Sequence, residues 1–281
     1  MGPVVESVLD LTRGTPLVRL AMGAPAQLWA KCEHLLPTGS LKDRTADAAL
    51  ERAGVRAGDS VVVASSGNTA AALAIAAKLR GVKLIATMPR SMALEKRSHL
   101  RALGVELMLT DAALGMAGAR AAAERIASER GVRWLRDASG SSAIASEIIE
   151  AVGVPDVLVV GVGSGATCRA TASVLRERGA VRVIGVVATK PDTRIGGLAD
   201  ADGPTDGADE IRAVPDDVAW RTTRRLAREE GLLAGPSGGA CVSVAIDVAA
   251  TLPASARIVT ILGDTGERYF SIGRFFEGAA T

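Results

Sequence analysis

Aromatic side chains are scarce in this chain, at 2% of 281 residues, and histidine occurs only twice, at His34 and His99. So few rings argue against base-stacking platforms for nucleic acid. Two histidines leave no HExxH, no two-histidine metal site and little basis for a Ser-His-Asp triad. His99 lies in the polar helical stretch "EKRSHLRALG", which suits a solvated or locally paired imidazole. Three cysteines, Cys32, Cys168 and Cys241, are odd in number and lack paired spacing, so neither a disulfide framework nor a zinc site follows and all three are expected as reduced core residues. No block of one charge sign stands out: 33 basic and 31 acidic residues are interspersed to a net +2, which gives no electrostatic footprint for a phosphate backbone. No run of about 18 apolar residues occurs, and "MGPVVESVLDL" has no basic start leading into an apolar stretch. These absences predict a cytoplasmic protein that binds neither nucleic acid nor membrane and holds no metal.

What the chain does have is rhythm. From residue 60, apolar β-rich runs alternate with alanine-rich helical ones: "SVVVASS" with "NTAAALAIAAKLRG", "VKLIATMP" with "ALEKRSHLRALG", and "VELMLT" with "GMAGARAAAERIASERG". The pattern resumes with "DVLVVGVGS", "GATCRATASVLRERG", "VRVIGVVA", the helix "PDDVAWRTTRRLAREEG", a short strand "LLAG", the helix "SGGACVSVAIDVAATLP" and a last strand "RIVTIL". Gly81, Gly104, Gly131, Gly179 and Gly231 follow helical segments, as left-handed caps do. Strands as uniformly apolar as "VLVVGV" need cover on both faces, so the expectation is α/β architecture with parallel, doubly wound sheets, two of them. Residues 191–215, rich in Gly, Pro and Asp without apolar period, are expected as a surface loop or an active-site flap.

Ligands of open parallel sheets collect beyond the carboxyl ends of strands. There the sequence places "SSGNT" (65–69), whose amides and hydroxyls suit a carboxylate at a helix start, or serve as a plain N-cap. "GVGSGAT" (161–167) suits a phosphate, because glycines let backbone amides approach closely. It matches neither the dinucleotide fingerprint nor the Walker pattern. "GDTGERYF" (263–270) offers Asp264 and Thr265. Lys42, after the Thr38-Gly39-Ser40 turn, would open a helix against its dipole; partial burial would lower its pKa, as a nucleophilic amine requires.

Together these segments resemble the cysteine synthase and cystathionine β-synthase family of pyridoxal-phosphate enzymes, with the tryptophan-synthase-like fold. "RGTPLVRL" (13–20), "LLPTGSLKDR" (35–44), "SSGNTAAALA", "GVGSGATC", "AREEGLLAGPSGGA" (227–240) and "ILGDTGERYFS" (261–271) occur in the family's order over nearly the whole chain. The resemblance implies two doubly wound parallel-sheet domains with pyridoxal 5'-phosphate in the cleft between them. Residues 1–38 with 140–281 would form the larger, phosphate-binding domain, and 39–139 the smaller mobile domain for the substrate carboxylate. It implies Lys42 as the Schiff-base lysine and α-proton base. Asn68 would bond the cofactor's ring oxygen, and Ser65, Ser66, Gly67 and Thr69 would bind the substrate carboxylate. Gly161, Val162, Gly163, Ser164, Gly165 and Thr167 would hold the phosphate, and Thr265 would meet the pyridine nitrogen, with Asp264 its competitor. The implied reaction is β-replacement on an O-activated L-serine through an aminoacrylate, with sulfide or another small nucleophile as acceptor, in a homodimer.

Departures from the family gather around substrate choice. Leu36 replaces an asparagine, and Val162 and Gly165 stand where the family often has threonines. Only "ASGSSAIA" lies between "WLRD" and "SEIIEA", so the segment with the family's substrate-contacting glutamine is shortened; the loop at 191–205 is abbreviated too. The sequence assigns no arginine to a substrate phosphate; Arg194 is singled out only by its position in that loop. A serine or threonine dehydratase and a catalytically silent cofactor-binding partner protein stay open as alternatives.

Overall fold

A computed structural model describes residues 4–23, 25–136, 140–190, 193, 195–199 and 204–272. The chain divides into two compact units, one of Met1–Thr12, Lys42–Ser139 and Arg268–Gly273, the other of Arg13–Leu41 and Gly140–Glu267. The second, larger unit carries a six-stranded sheet formed by β1 (Leu17–Leu20), β2 (Gln27–Lys31), β7 (Val157–Gly161), β8 (Arg182–Ala188), β9 (Glu210–Val214) and β10 (Arg257–Ile261). Their order is β1-β2-β10-β7-β8-β9, and every pair is parallel except β1 with β2. Helices α5 (Ala143–Val152), α6 (Ala166–Arg178), α7 (Asp216–Glu229) and α8 (Pro236–Ala249) complete this unit.

The alternation within its strands explains why both faces need cover. On β7, Val157 and Val159 enter the core that includes Ala219 and Leu226 of α7 and Val244 and Val248 of α8. Leu158 and Val160 enter the opposite core, with Ile144 and Ile148 of α5 and Leu175 of α6. A side-chain period of two on a strand buried from both sides gives the continuous apolar run seen in the sequence.

The smaller unit repeats this plan with four parallel strands in the order β5-β4-β3-β6: β3 (Ser60–Ala64), β4 (Lys83–Pro89), β5 (Glu106–Thr110) and β6 (Arg133–Leu135). Val61 and Val63 pack on one face with Leu50 of α1 (Asp43–Arg52), Leu73 of α2 (Asn68–Leu79) and Leu100 of α3 (Leu94–Ala102). Val62 and Ile85 face α4 (Gly115–Arg130) through Ala123 and Ile126. The α/β class and the two doubly wound sheets stand as read from the sequence.

Four local expectations change. Residues 210–214, read as part of a loop, form β9, paired in parallel with β8 as an edge strand. "LLAG" is no strand; Ala234 makes only an isolated bridge to Thr265. The β1–β2 pair is antiparallel, so the larger sheet is mixed. Gly179 is extended at φ 169, whereas Gly81, Gly104, Gly131 and Gly231 adopt the left-handed conformation. Cys32, Cys168 and Cys241 are buried and free, and burial pushes their thiols up to about 11, 11 and 12. Among the described residues no helix is long and apolar enough to cross a membrane, and no cluster of His, Cys, Asp and Glu could hold a metal.

Candidate active site

In the smaller unit, Lys42 occupies the N-cap of α1 in helical geometry, its carbonyl accepting the Thr45 N–H at 3.2 Å. The side chain is partly buried, and desolvation lowers the ammonium pKa, because transfer from water disfavours the charged form. A cavity of about 90 Å³ lies inside this unit, lined by Lys42, Thr45, Thr69, Leu73, Leu135 and Arg136 among others. That is roughly three times one water's share of liquid volume. Lys42 and Thr69, distant in sequence, thus border one space.

The 65–69 loop is the turn between β3 and α2. Ser65 Oγ accepts the N–H groups of Gly67 at 3.0 Å and Ala70 at 3.2 Å, which leaves its O–H as the group it can donate. The N–H groups of Ser66 and Thr69 have no acceptor among the described residues and stand at the positive end of α2. Gly67 has φ +135, and a Cβ there would fall 2.9 Å from Lys96 Cδ, so glycine is required both by conformation and by space. Asn68 Oδ1 accepts a hydrogen bond from Arg268 Nη1.

In the larger unit, the glycine loop joins β7 to α6. Val162 is spent on its neighbours: its N–H bonds Val186 O at 2.8 Å, and its carbonyl accepts the Ala199 N–H at 2.8 Å. The donors the loop offers begin after it, since the N–H groups of Gly163, Ser164, Gly165, Ala166 and Thr167 have no acceptor among the described residues. Gly163 cannot carry a side chain, because a Cβ would sit 2.4 Å from the Gly197 carbonyl oxygen. Gly165 has φ +75. At the far end of β10, Thr265 N–H bonds Gly39 O at 3.0 Å, and Asp264 forms an antiparallel bridge with Ser40. The Leu41 N–H bonds Gly263 O at 3.0 Å, so the turn that precedes Lys42 is pinned to the end of β10. Ser40 Oγ is buried with no hydrogen-bond partner among the described residues.

Each unit by itself holds groups suited to a part of pyridoxal phosphate. Five amides with no acceptor among the described residues, at a helix start, suit a phosphate dianion without side-chain hydroxyls at 162 and 165. A lysine with a pKa depressed by burial suits attack on an aldehyde. Three side chains at or beside the loops escaped the sequence reading. Arg136 follows β6 and lines the Lys42 cavity, stacked 4.1 Å over Trp134 and 3.6 Å from Glu124. Arg268 binds Asn68, and Lys96 passes beside Gly67. Arg136 could have been flagged by its place after a short strand; no local signal distinguishes Arg268 or Lys96 from surface cations. Arg194 lies outside the described residues.

Residues 8–264 match the family model described as pyridoxal-phosphate dependent enzyme. A cysteine synthase of Staphylococcus aureus (strain N315) is 32% identical over 95% of this chain and 96% of its own length. The solved structure of an O-ureido-L-serine synthase superposes with a TM-score of 0.90 at 32% identity, covering 98% of this chain and 96% of that one. The O-acetylserine dependent cystathionine β-synthase of Helicobacter pylori superposes with a TM-score of 0.86 at 27% identity, over 96% and 98% of the two chains.

Proposed function

This chain belongs to the pyridoxal-phosphate dependent enzymes, and from that premise we propose that it replaces the β-substituent of an O-activated L-serine with sulfide or another small nucleophile, as a cysteine synthase-like enzyme. The relatives named above support that reaction class. Pyridoxal phosphate, when bound, supplies the electron sink that lets the α-proton and the β-leaving group depart. The observation that carries the reading is Lys42, whose amine is made less basic by burial at the edge of a cavity it shares with Thr69.

Lys42 Nζ is the anchor for the cofactor aldehyde and the base that takes the α-proton, tasks that need an appreciable neutral fraction of the amine. The N–H groups from Gly163 to Thr167, with the Ser164 and Thr167 hydroxyls, hold the phosphate, and Gly161 and Val162 set the loop's exit from β7. Ser66, Gly67 and Thr69, with the Ser65 hydroxyl, receive the substrate carboxylate; Asn68 donates to the cofactor's ring oxygen. Thr265 meets the pyridine nitrogen with a neutral hydroxyl, which does not keep that nitrogen protonated and so favours β-chemistry over transamination. Carboxylate recognition is thereby assigned to the smaller unit and phosphate binding to the larger.

Lys42→Ala is expected to abolish both the visible absorbance of lysine-bound cofactor and sulfide-dependent product formation from O-acetylserine. Undiminished turnover in that variant would remove Lys42 as the base. Pyruvate release that needs no nucleophile would replace this reading with a dehydratase. A cytoplasmic homodimer is part of the same reading, on the resemblance alone; sedimentation at a single chain mass would reject the dimer.

A further inference from the structure

A carboxamide offers an acceptor on one side and two donors on the other, so its use depends on which way it is turned. At Asn68, Arg268 holds the oxygen side. A guanidinium has donors and no acceptor, so the Asn68 oxygen must face it, and what this carboxamide offers elsewhere is its N–H donors. Arg268 is itself only 5% exposed. Its second terminal nitrogen lies 3.5 Å from His99 Nδ1. The His99 pKa is lowered by burial and then by Arg268, which keeps the ring neutral and able to turn a lone pair to the guanidinium.

The segment that carries Arg268 is strapped to the smaller unit at several points. Lys96 Nζ donates to Tyr269 Oη at 3.3 Å and sits 4.4 Å over the Tyr269 ring. The Ser271 N–H and hydroxyl both donate to the Glu95 carboxylate, at 2.7 and 2.5 Å, and the Leu94 N–H donates to Ser271 Oγ at 3.2 Å. The stem of Lys96 in turn packs beside Gly67, next to Asn68. The strap therefore supports the arginine and the loop it grips.

We propose that Arg268 is a positioning residue, which holds the Asn68 carboxamide by its oxygen so that its amide nitrogen is presented as the donor to the cofactor's ring oxygen. The cofactor half of this statement rests on the function proposed above; the grip of arginine on asparagine rests on geometry alone.

Asn68 is the only asparagine of the chain, so protein labelled with 15N-asparagine gives one side-chain NH2 pair in an NMR spectrum. In Arg268→Met, which removes every donor, that pair is expected to move toward solvent-exposed shifts, because the charge-assisted bond that fixes the carboxamide's rotation is lost. Arg268→Lys, which keeps a donor, restores part of the change. In the holoenzyme, the visible absorbance maximum is expected to shift in Arg268→Met in the direction it shifts in Asn68→Ala, and the double variant to add nothing further. Unmoved Asn68 resonances in an Arg268→Met protein with an intact backbone spectrum would overturn the proposal, as would moved resonances with an unchanged absorbance. Failure of the wild-type protein to take up cofactor would instead reject the proposed function, while the resonances still decide whether Arg268 grips Asn68.

Discussion

At the scale of single residues, burial governs reactivity more than neighbouring charge does. Lys42 illustrates this, since its lowered pKa comes from desolvation with no charged partner contributing. His34 is a second case. It is 7% exposed, its Nδ1 has no hydrogen-bond partner among the described residues, and burial lowers its pKa against the opposing pull of Asp264 and Glu33. A base with a depressed folded pKa binds its proton later than the unfolded chain does as pH falls. Stability is therefore lost as pH drops from the ordinary histidine value, about 6.5, toward the folded value, with a slope of at most about 1.4 kcal/mol per pH unit for each such histidine. His99, shifted in the same direction, adds to the slope. Urea denaturation across this window should show a shallower decline for His34→Leu than for the wild type; parallel curves would mean that His34 takes up its proton as readily in the folded chain as in the unfolded one. The burial of Lys42 was legible in its setting after a glycine turn, whereas that of His34 was not, because no local pattern around "CEHLL" tells a buried imidazole from an exposed one.

At the scale of elements, glycines fix how closely helices and loops approach. Helices α7 and α8 pack so tightly that a Cβ on Gly239 would lie 2.1 Å from Thr223 Oγ1 and 2.3 Å from the Ala219 carbonyl oxygen. Alanine improves helix propensity by up to about 1 kcal/mol over glycine, yet overpacking typically costs about 1–3 kcal/mol and the clash here includes backbone that cannot rotate away. Gly239→Ala is thus expected to lower the urea midpoint at unchanged slope; a rise would mean that the helices separate at little cost. The sequence showed both helices clearly, through their apolar period, but not their separation. It also hid β9: "EIRAV" carries two charges, as an edge strand tolerates, and lies next to a Gly- and Asp-rich stretch that masks it.

At the scale of the whole molecule, a ligand that binds only the folded state raises stability by mass action, about 2.7 kcal/mol at a concentration a hundred times its Kd. Thermal unfolding of cofactor-free protein should therefore shift upward by several degrees on adding pyridoxal phosphate, at roughly 2–4 °C per kcal/mol for chains of this order of size. Gly163→Ala should lose that shift, since the new methyl would displace the Gly197 carbonyl and with it the loop's N–H donors. A full shift in this variant would show that the phosphate is held elsewhere. The α/β class, the doubly wound sheets and the family were legible before folding, because hydrophobic period and ordered short motifs are local properties written in consecutive residues. That β1 runs antiparallel, that Arg136 borders the Lys42 cavity and that Arg268 bonds the Asn68 oxygen emerges only from the folded chain. Each of those depends on which distant segment comes to lie within a few ångströms, and a hydrogen bond spanning 200 residues leaves no trace in the spacing of its partners.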